Sequence, residues 1–287
     1  MYETPIFRKV IDFDEAQQLL EQMRCSRGHP SGYKDLDKLC GGLVKDGVTL
    51  IAGRPGMGTT SLALNIVSRL SVEQGGTILF FSPEMRSGEI TIRLLSIAMD
   101  LEPEDFLNNK VPPATIATKF LDYYTAKESS IKIDLDSFVS LDDIWEHCCR
   151  TSDLRLVIID PVSAVCKPID FSADSATWCE KEDTAVVFQS LRKLANSLSV
   201  PVICLTHLHR SLERRKNKRP HLGDLRKIGI PTEEVDQVII LYRDRYYDPE
   251  GEEGAELIVA KVVQGNVGTV YLDWNDTTRR FTERKKE

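Results

Sequence analysis

Three glycines within six positions separate two contrasting patterns near residue 55. Residues 47–52 form a short apolar run suited to a buried strand, whereas residues 60–70 place apolar side chains at helical spacing. A strand, a glycine-rich turn and a helix in this order let backbone N–H groups converge on an anion at the positive end of the helix. We therefore predict a phosphate-binding loop at residues 53–60, with an ordinary strand-to-helix turn as the alternative.

One position of this loop departs from the phosphate-binding motif. Thr59 stands where the motif requires a lysine, so the central cation is missing. Thr60 matches the hydroxyl that helps to hold magnesium, and is a predicted metal ligand. The predicted nucleotide-binding residues are Gly53, Arg54, Pro55, Gly56, Met57, Gly58, Thr59, Thr60 and Ser61.

Strand-like apolar runs alternate with helical patterns along the rest of the chain. The predicted strands span residues 47–52, 77–82, 131–134, 155–160, 200–205, 237–242, 256–263 and 267–272. The predicted helices between them span residues 86–99, 115–126, 141–150 and 183–198. This alternation indicates an α/β fold with a mainly parallel sheet. A turn signal at residues 264–266 predicts that the last two strands form a C-terminal β-hairpin at the sheet edge.

Composition favours one sizeable domain. The 287 residues, 41% of them hydrophobic, can bury one large core. Seven scattered cysteines without Cys-x-x-Cys spacing suggest neither a disulfide framework nor a zinc site. The chain has no run of eighteen apolar residues and no leader-like start, so we expect a cytoplasmic protein without a membrane span. A net charge of −7 argues against general DNA coating but leaves room for a local basic surface.

An amphipathic helix is predicted ahead of this domain. Asp12 and Glu15 form a helix-start signal, and apolar side chains then share one face: Ala16, Leu19, Leu20 and Met23. The helix is too short to bury this stripe by itself, so we expect it to pack on its own domain or on a neighbouring subunit. We assign residues 1–30 to this N-terminal segment and residues 31–287 to the main domain.

Three polar residues end or follow predicted strands, at the edge where ligands gather in open α/β sheets. Asp160 is suited to holding magnesium beside a triphosphate. Glu84 is placed to orient and deprotonate an attacking water. His207 is placed to donate a hydrogen bond to the terminal phosphate. Each residue alone is also typical of an ordinary strand end or helix start, so the prediction depends on their convergence.

A basic segment follows the strand that His207 ends. Residues 210–219 read Arg-Ser-Leu-Glu-Arg-Arg-Lys-Asn-Lys-Arg, and residues 224–229 add two cations beside a glycine. A charge run in isolation is usually a solvated polar loop. Its position after a predicted buried strand favours a nucleic-acid contact.

The amino-acid sequences of these segments resemble those of the C-terminal motor domain of the DnaB family of replicative helicases, ring-forming members of superfamily 4. The resemblance runs from near Ser31 to near Phe281, and its most specific pieces are residues 53–58, 80–85, 217–220, 224–226 and 241–247. It implies a RecA-like P-loop NTPase core with helices on both faces of the sheet, and ATP and Mg²⁺ as cofactors. It also implies a hexameric ring with nucleotides between subunits and single-stranded DNA in the centre.

The resemblance also assigns roles to single residues. Asp160 becomes the magnesium-binding carboxylate, Glu84 the catalytic glutamate and His207 the sensor of the γ-phosphate, a position usually held by glutamine. The segment 224–229 matches the DNA-contacting loop, which gives three predicted DNA contacts: Arg226, Lys227 and the Gly229 backbone. Lys227 replaces an acidic residue common in the family and raises the local positive potential.

Two departures from the family pattern bear on catalysis. Besides Thr59, the family's Ala-Lys-His-Arg-Asn-Gly reads Ala-Lys-Val-Val-Gln-Gly at residues 260–265, so Val263 stands where a neighbouring subunit's arginine enters the site. Neutral side chains at both positions cannot offset charge that develops on the transferred phosphoryl group, so we expect nucleotide binding with impaired hydrolysis. Lys261 remains as a cation that could enter the adjacent site, and is the fourth predicted catalytic residue.

Two main functions therefore remain open. The chain is either an ATP-dependent 5′ to 3′ DNA helicase, or a degenerate paralogue that binds without turnover and assembles alone or in a mixed ring with an active helicase. A RecA-like or circadian-clock-like ATPase acting on another polymer is disfavoured by the wording at residues 224–229 and 241–247. Family members usually carry a helical N-terminal collar domain, whereas this chain starts just before the linker helix.

Overall fold

The computed structural model describes residues 28–73, 75–124, 129–134, 140–165 and 181–284. The strands of this part of the chain are β1 Val48–Gly53, β2 Gly76–Phe81, β3 Ser129–Asp134, β4 Leu154–Ile159, β5 Val202–His207, β6 Gln237–Tyr242, β7 Ala255–Val262, β8 Gly268–Asn275 and β9 Arg280–Glu283. Its α-helices are α1 Lys34–Cys40, α2 Thr59–Glu73, α3 Ser87–Met99, α4 Pro103–Leu107, α5 Pro113–Tyr124, α6 Leu141–Arg150, α7 Lys181–Leu198 and α8 Leu222–Arg226. The helix predicted near residues 12–25 lies outside the described residues.

All nine described strands belong to one sheet, in the order β3-β2-β4-β5-β1-β6-β7-β8-β9. Strands β1 to β6 pair with one another in parallel, whereas β7, β8 and β9 are added in antiparallel order. β1 lies between β5 and β6, and all six of its residues are buried, as a parallel strand covered on both faces requires. The predicted mainly parallel α/β fold is confirmed.

Helices cover both faces of the sheet. Helices α2, α3 and α5 contact one another, whereas α6 contacts α7, and α7 packs on β1 and β5. The chain moves outward from β1 to β2 through α2 and returns towards β5 through α6 and α7. Right-handed crossovers therefore place these two groups of helices on opposite faces. The largest fully buried side chains, which include Phe80, Phe188 and Phe281, fill the core between these layers.

The predicted ends of two strands and the predicted place of the C-terminal hairpin in the sheet differ from the structure. β5 spans Val202–His207 instead of residues 200–205, because Pro201 has no N–H for the strand ladder. β4 ends at Ile159, so Asp160 follows the strand instead of ending it. β7 and β8 do form the predicted hairpin, but β9 pairs outside β8, so the hairpin is not the sheet edge. The unpredicted elements α1, α4, α8 and β9 have seven residues or fewer, too few to show a period.

The strand β9 is tied to the helix that follows the phosphate loop. The Asn65 side chain accepts a hydrogen bond from the Phe281 N–H at 3.1 Å and donates one to the Arg279 carbonyl at 3.0 Å. Arg69 donates to the Phe281 carbonyl at 3.2 Å. The backbone of β9 therefore fixes α2 along the sheet.

Candidate nucleotide and DNA sites

The residues predicted to bind nucleotide meet at one edge of the sheet. β1, β2, β4 and β5 are near neighbours, so their carboxyl ends open onto one crevice. Gly53 ends β1 in register with His207, which ends β5. The Asp160 N–H donates to the carbonyl of Phe81, the last residue of β2, at 2.9 Å. Glu84 follows β2 on an exposed turn. The sequence therefore identified four strand ends that the fold brings together.

The loop has the backbone shape that its glycines allow. Gly56 and Gly58 have φ angles of 84° and 100°, a region that residues with side chains rarely adopt. The Met57 N–H donates to the Arg54 carbonyl at 3.0 Å, and the Leu62 N–H donates to the Gly58 carbonyl at 2.8 Å. α2 then continues for 15 residues, so its N-terminal amides and dipole favour an anion at the loop.

Thr59 occupies the lysine position with a buried side chain. Only 3% of its surface is exposed. Its methyl group lies against the start of the loop, because a Cβ on Gly53 would come within 2.8 Å of Cγ2 of Thr59. The residue therefore packs inside the loop and supplies no charge to it.

Thr60 and Asp160 form the predicted metal pair. Oγ1 of Thr60 donates to Oδ2 of Asp160 at 2.7 Å. Burial raises the pKa of Asp160, although the Thr60 hydrogen bond and the His207 charge oppose this shift. Hydroxyl and carboxylate oxygens are hard ligands that suit Mg²⁺ when phosphate oxygens and water complete its shell. The described ranges contain no group of three or more His, Cys, Asp or Glu side chains that could hold a metal ion.

Arg54, the cation within the loop, is paired with residues that follow β5. The Arg54 guanidinium donates to Oε1 of Glu213 at 2.7 Å and to the Leu208 carbonyl at 2.7 Å. Its side chain is 16% exposed. These contacts hold Arg54 against the segment after β5, so it is a poor replacement for the lysine.

Sequence reasoning missed an aromatic and basic wall beside the loop. The Arg243 guanidinium stacks on the Trp274 ring, 4.6 Å from the ring centroid. A Cβ on Gly58 would lie 3.4 Å from Trp274, and a Cβ on Gly56 would lie 2.9 Å from the Tyr246 ring. Arg243 and Tyr246 fall within the family-like segment 241–247, which was a usable signal. Trp274 reaches the loop only through sheet pairing, and no local pattern marks it.

The hairpin β7–β8 carries the two residues predicted to face an adjacent subunit. Val263 follows β7 and is 61% exposed. The Lys261 ammonium instead donates to the carbonyl oxygens of Thr232, Glu233 and Val235. The structure therefore does not bring Lys261 to Asp160, Glu84 and His207 of the same chain, and its catalytic role in an adjacent chain stays a prediction.

The predicted DNA loop is a short helix followed by a glycine turn. Arg226 ends α8 and is exposed, as is Lys227, whereas Gly229 has a φ of 81°. The Gly229 N–H donates to the Arg226 carbonyl at 3.1 Å, so that amide is already used inside the loop. The two side chains, more than this N–H group, are therefore available to a phosphate backbone.

Asp224 anchors this loop from beneath. Its Oδ2 accepts hydrogen bonds from Arg215 at 2.9 Å and from the His221 N–H at 3.1 Å. Burial acts to raise the pKa of Asp224, but the His221 N–H and the Arg215 guanidinium outweigh it and lower the pKa. The same carboxylate lies 3.4 Å from the Lys227 ammonium. One buried charge therefore fixes the start of the candidate DNA loop.

Comparison with known sequences places these features in context. The sequence model of the family described as DnaB-like helicase C terminal domain matches residues 28–283. The chain is 29% identical to Replicative DNA helicase DnaB of Geobacillus stearothermophilus over 88% of this chain and 56% of that protein. It is 31% identical to Replicative DNA helicase DnaB of Buchnera aphidicola over 88% of this chain and 56% of that protein. The chain thus spans little more than half the length of these relatives.

Solved structures agree with this similarity. One of them, described as an ATPase domain, superposes with a TM-score of 0.81 at 29% identity, covering 96% of this chain and 100% of that one. A DnaB-like replicative helicase, described with its interactions with primase, also gives a TM-score of 0.81, at 27% identity, covering 96% of this chain and 68% of that one. Within the described residues, no helix is long and apolar enough to cross a membrane.

Proposed function

The chain belongs to the family of DnaB-like helicase C-terminal domains, and we propose on that premise that it binds ATP with Mg²⁺ and single-stranded DNA but hydrolyses ATP slowly. The observation that carries the proposal is the loop, which keeps its glycine backbone and its Thr60–Asp160 pair but holds a buried, neutral Thr59. Binding groups are retained where a catalytic charge is absent.

Each retained group has a role on this proposal. Amides of the loop and of the α2 N-terminus hold the phosphates, and Thr60 and Asp160 hold magnesium, which neutralises phosphate charge when bound. Glu84 orients the attacking water and accepts its proton. His207, in register with Gly53, donates to the terminal phosphate. Arg243 and Trp274, which stack on each other beside Gly58, would line the nucleotide site next to the loop.

Magnitudes separate binding from turnover. A charge-assisted hydrogen bond from the motif lysine contributes about 1.5 to 3 kcal/mol, which backbone amides and magnesium partly replace. An arginine supplied by a neighbouring subunit is worth about 10³ to 10⁵ in turnover, and exposed Val263 cannot supply that charge. The expected result is retained affinity with a large loss of hydrolysis.

Assembly follows from the same membership. We propose a hexameric ring in which Arg226 and Lys227 contact the DNA backbone and the predicted helix at residues 12–25 docks on the next subunit. The exposed position of both cations supports the DNA contact. We place such a protein in the cytoplasm, where its DNA substrate would be.

ATP turnover with and without single-stranded DNA tests this function. We expect the native chain to bind a fluorescent ATP analogue in a magnesium-dependent manner with little DNA-stimulated turnover. Thr59→Lys combined with Val263→Arg should raise turnover by about 10³, because both transition-state cations return. Brisk turnover by the native chain would overturn the proposal of impaired hydrolysis.

A second candidate function is regulation of an active helicase through a mixed ring. It is favoured by the hairpin, where an exposed Val263 replaces the cation offered to a neighbour. Adding the native chain to an active relative should lower the relative's ATP turnover in proportion to its share of the ring. Turnover that stays constant at every ratio would reject this function.

A further inference from the structure

Lys261 has an unusual set of partners for a surface lysine. Its Nζ donates to the carbonyl oxygens of Thr232 at 2.8 Å, Glu233 at 3.3 Å and Val235 at 2.6 Å. An ammonium has three donors and no acceptor, so one short backbone segment satisfies all of them. Hydrogen bonds from a charged donor are stronger than neutral ones. β7 is therefore fastened to the chain just before β6.

Thr232 joins this segment to the candidate DNA loop. It is 1% exposed, and its Oγ1 accepts a hydrogen bond from Nε of Arg226 at 3.1 Å. The same hydroxyl donates to Oε2 of Glu233 at 3.2 Å. Arg226 uses only Nε here, and its terminal nitrogens have no other hydrogen-bond partner within the described residues. The hydroxyl of Thr232 thus orients a guanidinium whose terminal nitrogens remain available.

The far end of the segment is fixed independently. Gln189 of α7 donates to Glu234 at 3.0 Å, and Arg192 of α7 pairs with Asp236 at 2.9 Å. Asp236 also accepts the N–H of Val48, the first residue of β1, at 2.9 Å. Residues 234 and 236 therefore keep these contacts when Lys261 is removed, whereas the carbonyls of residues 232, 233 and 235 all lose this donor, and residues 232–233 have no such second tie in the described part of the chain.

We propose that Lys261 is a positioning residue: by holding the segment 232–235, it keeps Thr232 under Arg226 and pre-organises the loop 224–229 for single-stranded DNA. The inference rests on the proposed DNA contact of that loop. We call the hydrogen bonds from Lys261 to the carbonyls of residues 232, 233 and 235 the clamp. Without the clamp the loop 224–229 samples more conformations. The apparent affinity for DNA then falls in proportion to the fraction of time that the loop spends in the conformation that binds DNA. Lys261 itself makes no DNA contact.

The salt dependence of binding distinguishes positioning from direct contact. Full-length Lys261→Met should bind a labelled oligothymidylate on the order of tenfold more weakly at every salt concentration, because a smaller competent fraction shifts the whole curve. Arg226→Ala should also reduce the slope of log affinity against log salt by about 0.7, since one phosphate contact is lost. Lys45→Met, which removes an exposed lysine outside the clamp, is the matched control and should bind as the native chain does.

A second variant covers the case in which Lys261→Met loses its fold. Thr232→Val keeps the carbonyl and the volume but removes the hydroxyl that orients Arg226, and it should produce the same parallel shift. Combining it with Lys261→Met should weaken binding less than the two single effects together, because both act through one link. Lys261→Arg, which keeps charge and donors, should recover part of the affinity.

The outcomes distinguish a failure of this inference from a failure of the proposed DNA contact on which it rests. If Arg226→Ala binds DNA normally, the proposed DNA loop is wrong. If Arg226→Ala weakens binding but Lys261→Met and Thr232→Val do not, only the clamp is wrong. A reduced salt slope for Lys261→Met would make Lys261 a direct phosphate contact, and unchanged DNA affinity with altered nucleotide turnover would return it to the adjacent nucleotide site; either result overturns the clamp.

Discussion

At the phosphate loop, one side chain separates this chain from the motif that its backbone follows. Thr59 is buried and neutral, while Arg54, the nearest charge in the loop, is held by Glu213. Charge at the loop is therefore missing because of one substitution and one ion pair. Each of these two features can be tested by a single substitution.

Thr59→Lys should tighten nucleotide binding. A restored charge-assisted hydrogen bond to phosphate predicts a gain of about 1.5 to 3 kcal/mol, measurable by calorimetric titration with a non-hydrolysable ATP analogue. Thr59→Met is the matched control, because it adds similar length without charge. Equal affinity of the two variants would show that charge at this position is not what limits binding.

The pKa of Asp160 predicts an acid-dependent loss of nucleotide binding. Burial raises the pKa of this carboxyl above the ordinary value of about 4, and magnesium requires the ionised form. Affinity for a magnesium–nucleotide analogue should therefore fall as pH is lowered through this raised pKa, while an ordinary aspartate is still ionised. Fluorescence titration from neutral pH downwards measures this, with exposed Asp46→Asn as control and Asp160→Asn expected to lose the dependence.

Sequence patterns located the candidate site residues that lie within short motifs and that the fold brings to one edge of the sheet. The loop residues 53–61 and the strand-end residues Asp160 and His207 could be identified because strand, turn and ligand are adjacent along the chain. Arg243 and Trp274 could not be identified in this way, because their contact depends on pairing of β6 through β7 to β8. A side chain that reaches a site through long-range pairing leaves no local pattern.

At the scale of elements, the start of the candidate DNA loop depends on one carboxylate. Asp224→Asn should destabilise the protein by about 1 to 3 kcal/mol at neutral pH, because the donors from Arg215 and His221 lose a charged acceptor. The lowered pKa of Asp224 means that the native contribution is present above the ordinary carboxyl pKa of about 4 and is lost as pH falls through the lowered value.

Urea unfolding at several pH values measures this contribution. The difference between native and Asp224→Asn proteins should shrink in acid. A difference that stays constant with pH would contradict an electrostatic origin. Asp244→Asn is a useful comparison. Asp244 also begins a short helical turn, but its carboxylate accepts a hydrogen bond from the neutral Tyr242 hydroxyl, whereas Asp224 accepts one from the charged Arg215.

Elements were predictable in proportion to their length and regularity. Helix α2 shows a helical period, strand β1 is a continuous apolar run, and a strong turn signal separates them; both were located within two residues at their starts. α8 and β9 were missed, because five and four residues cannot display a helical or an alternating period. Both missed elements matter, since α8 carries Arg226 and β9 fixes α2.

At the scale of the whole molecule, the order of strands in the sheet determines which strand ends become neighbours, and sequence patterns do not give that order. β1 is the first of the described strands along the chain yet lies between β5 and β6. The alternation of strands and helices predicts a parallel sheet, but many strand orders satisfy it. The observed order brings Asp160, which follows β4, and His207, which ends β5, to the same edge as the candidate phosphate loop.

Removal of residues 1–27 tests the proposed assembly. We expect the shortened chain to retain its fold, since residues 28–284 include the described sheet and core, and His29 already pairs with Leu43. It should lose nucleotide-dependent ring formation, because the apolar face predicted at residues 12–25 would no longer dock on a neighbour. Mass photometry with an ATP analogue measures the change, and rings of undiminished size would reject a role for this helix.

The tie between β9 and α2 has a consequence during synthesis on the ribosome. The Asn65 side chain accepts a hydrogen bond from the Phe281 N–H, which is translated 216 residues later. Helix α2 therefore gains this hydrogen bond only after Phe281 has left the ribosome. Until then a nascent chain would hold the candidate phosphate loop with less support, which would delay its competence to bind an anion.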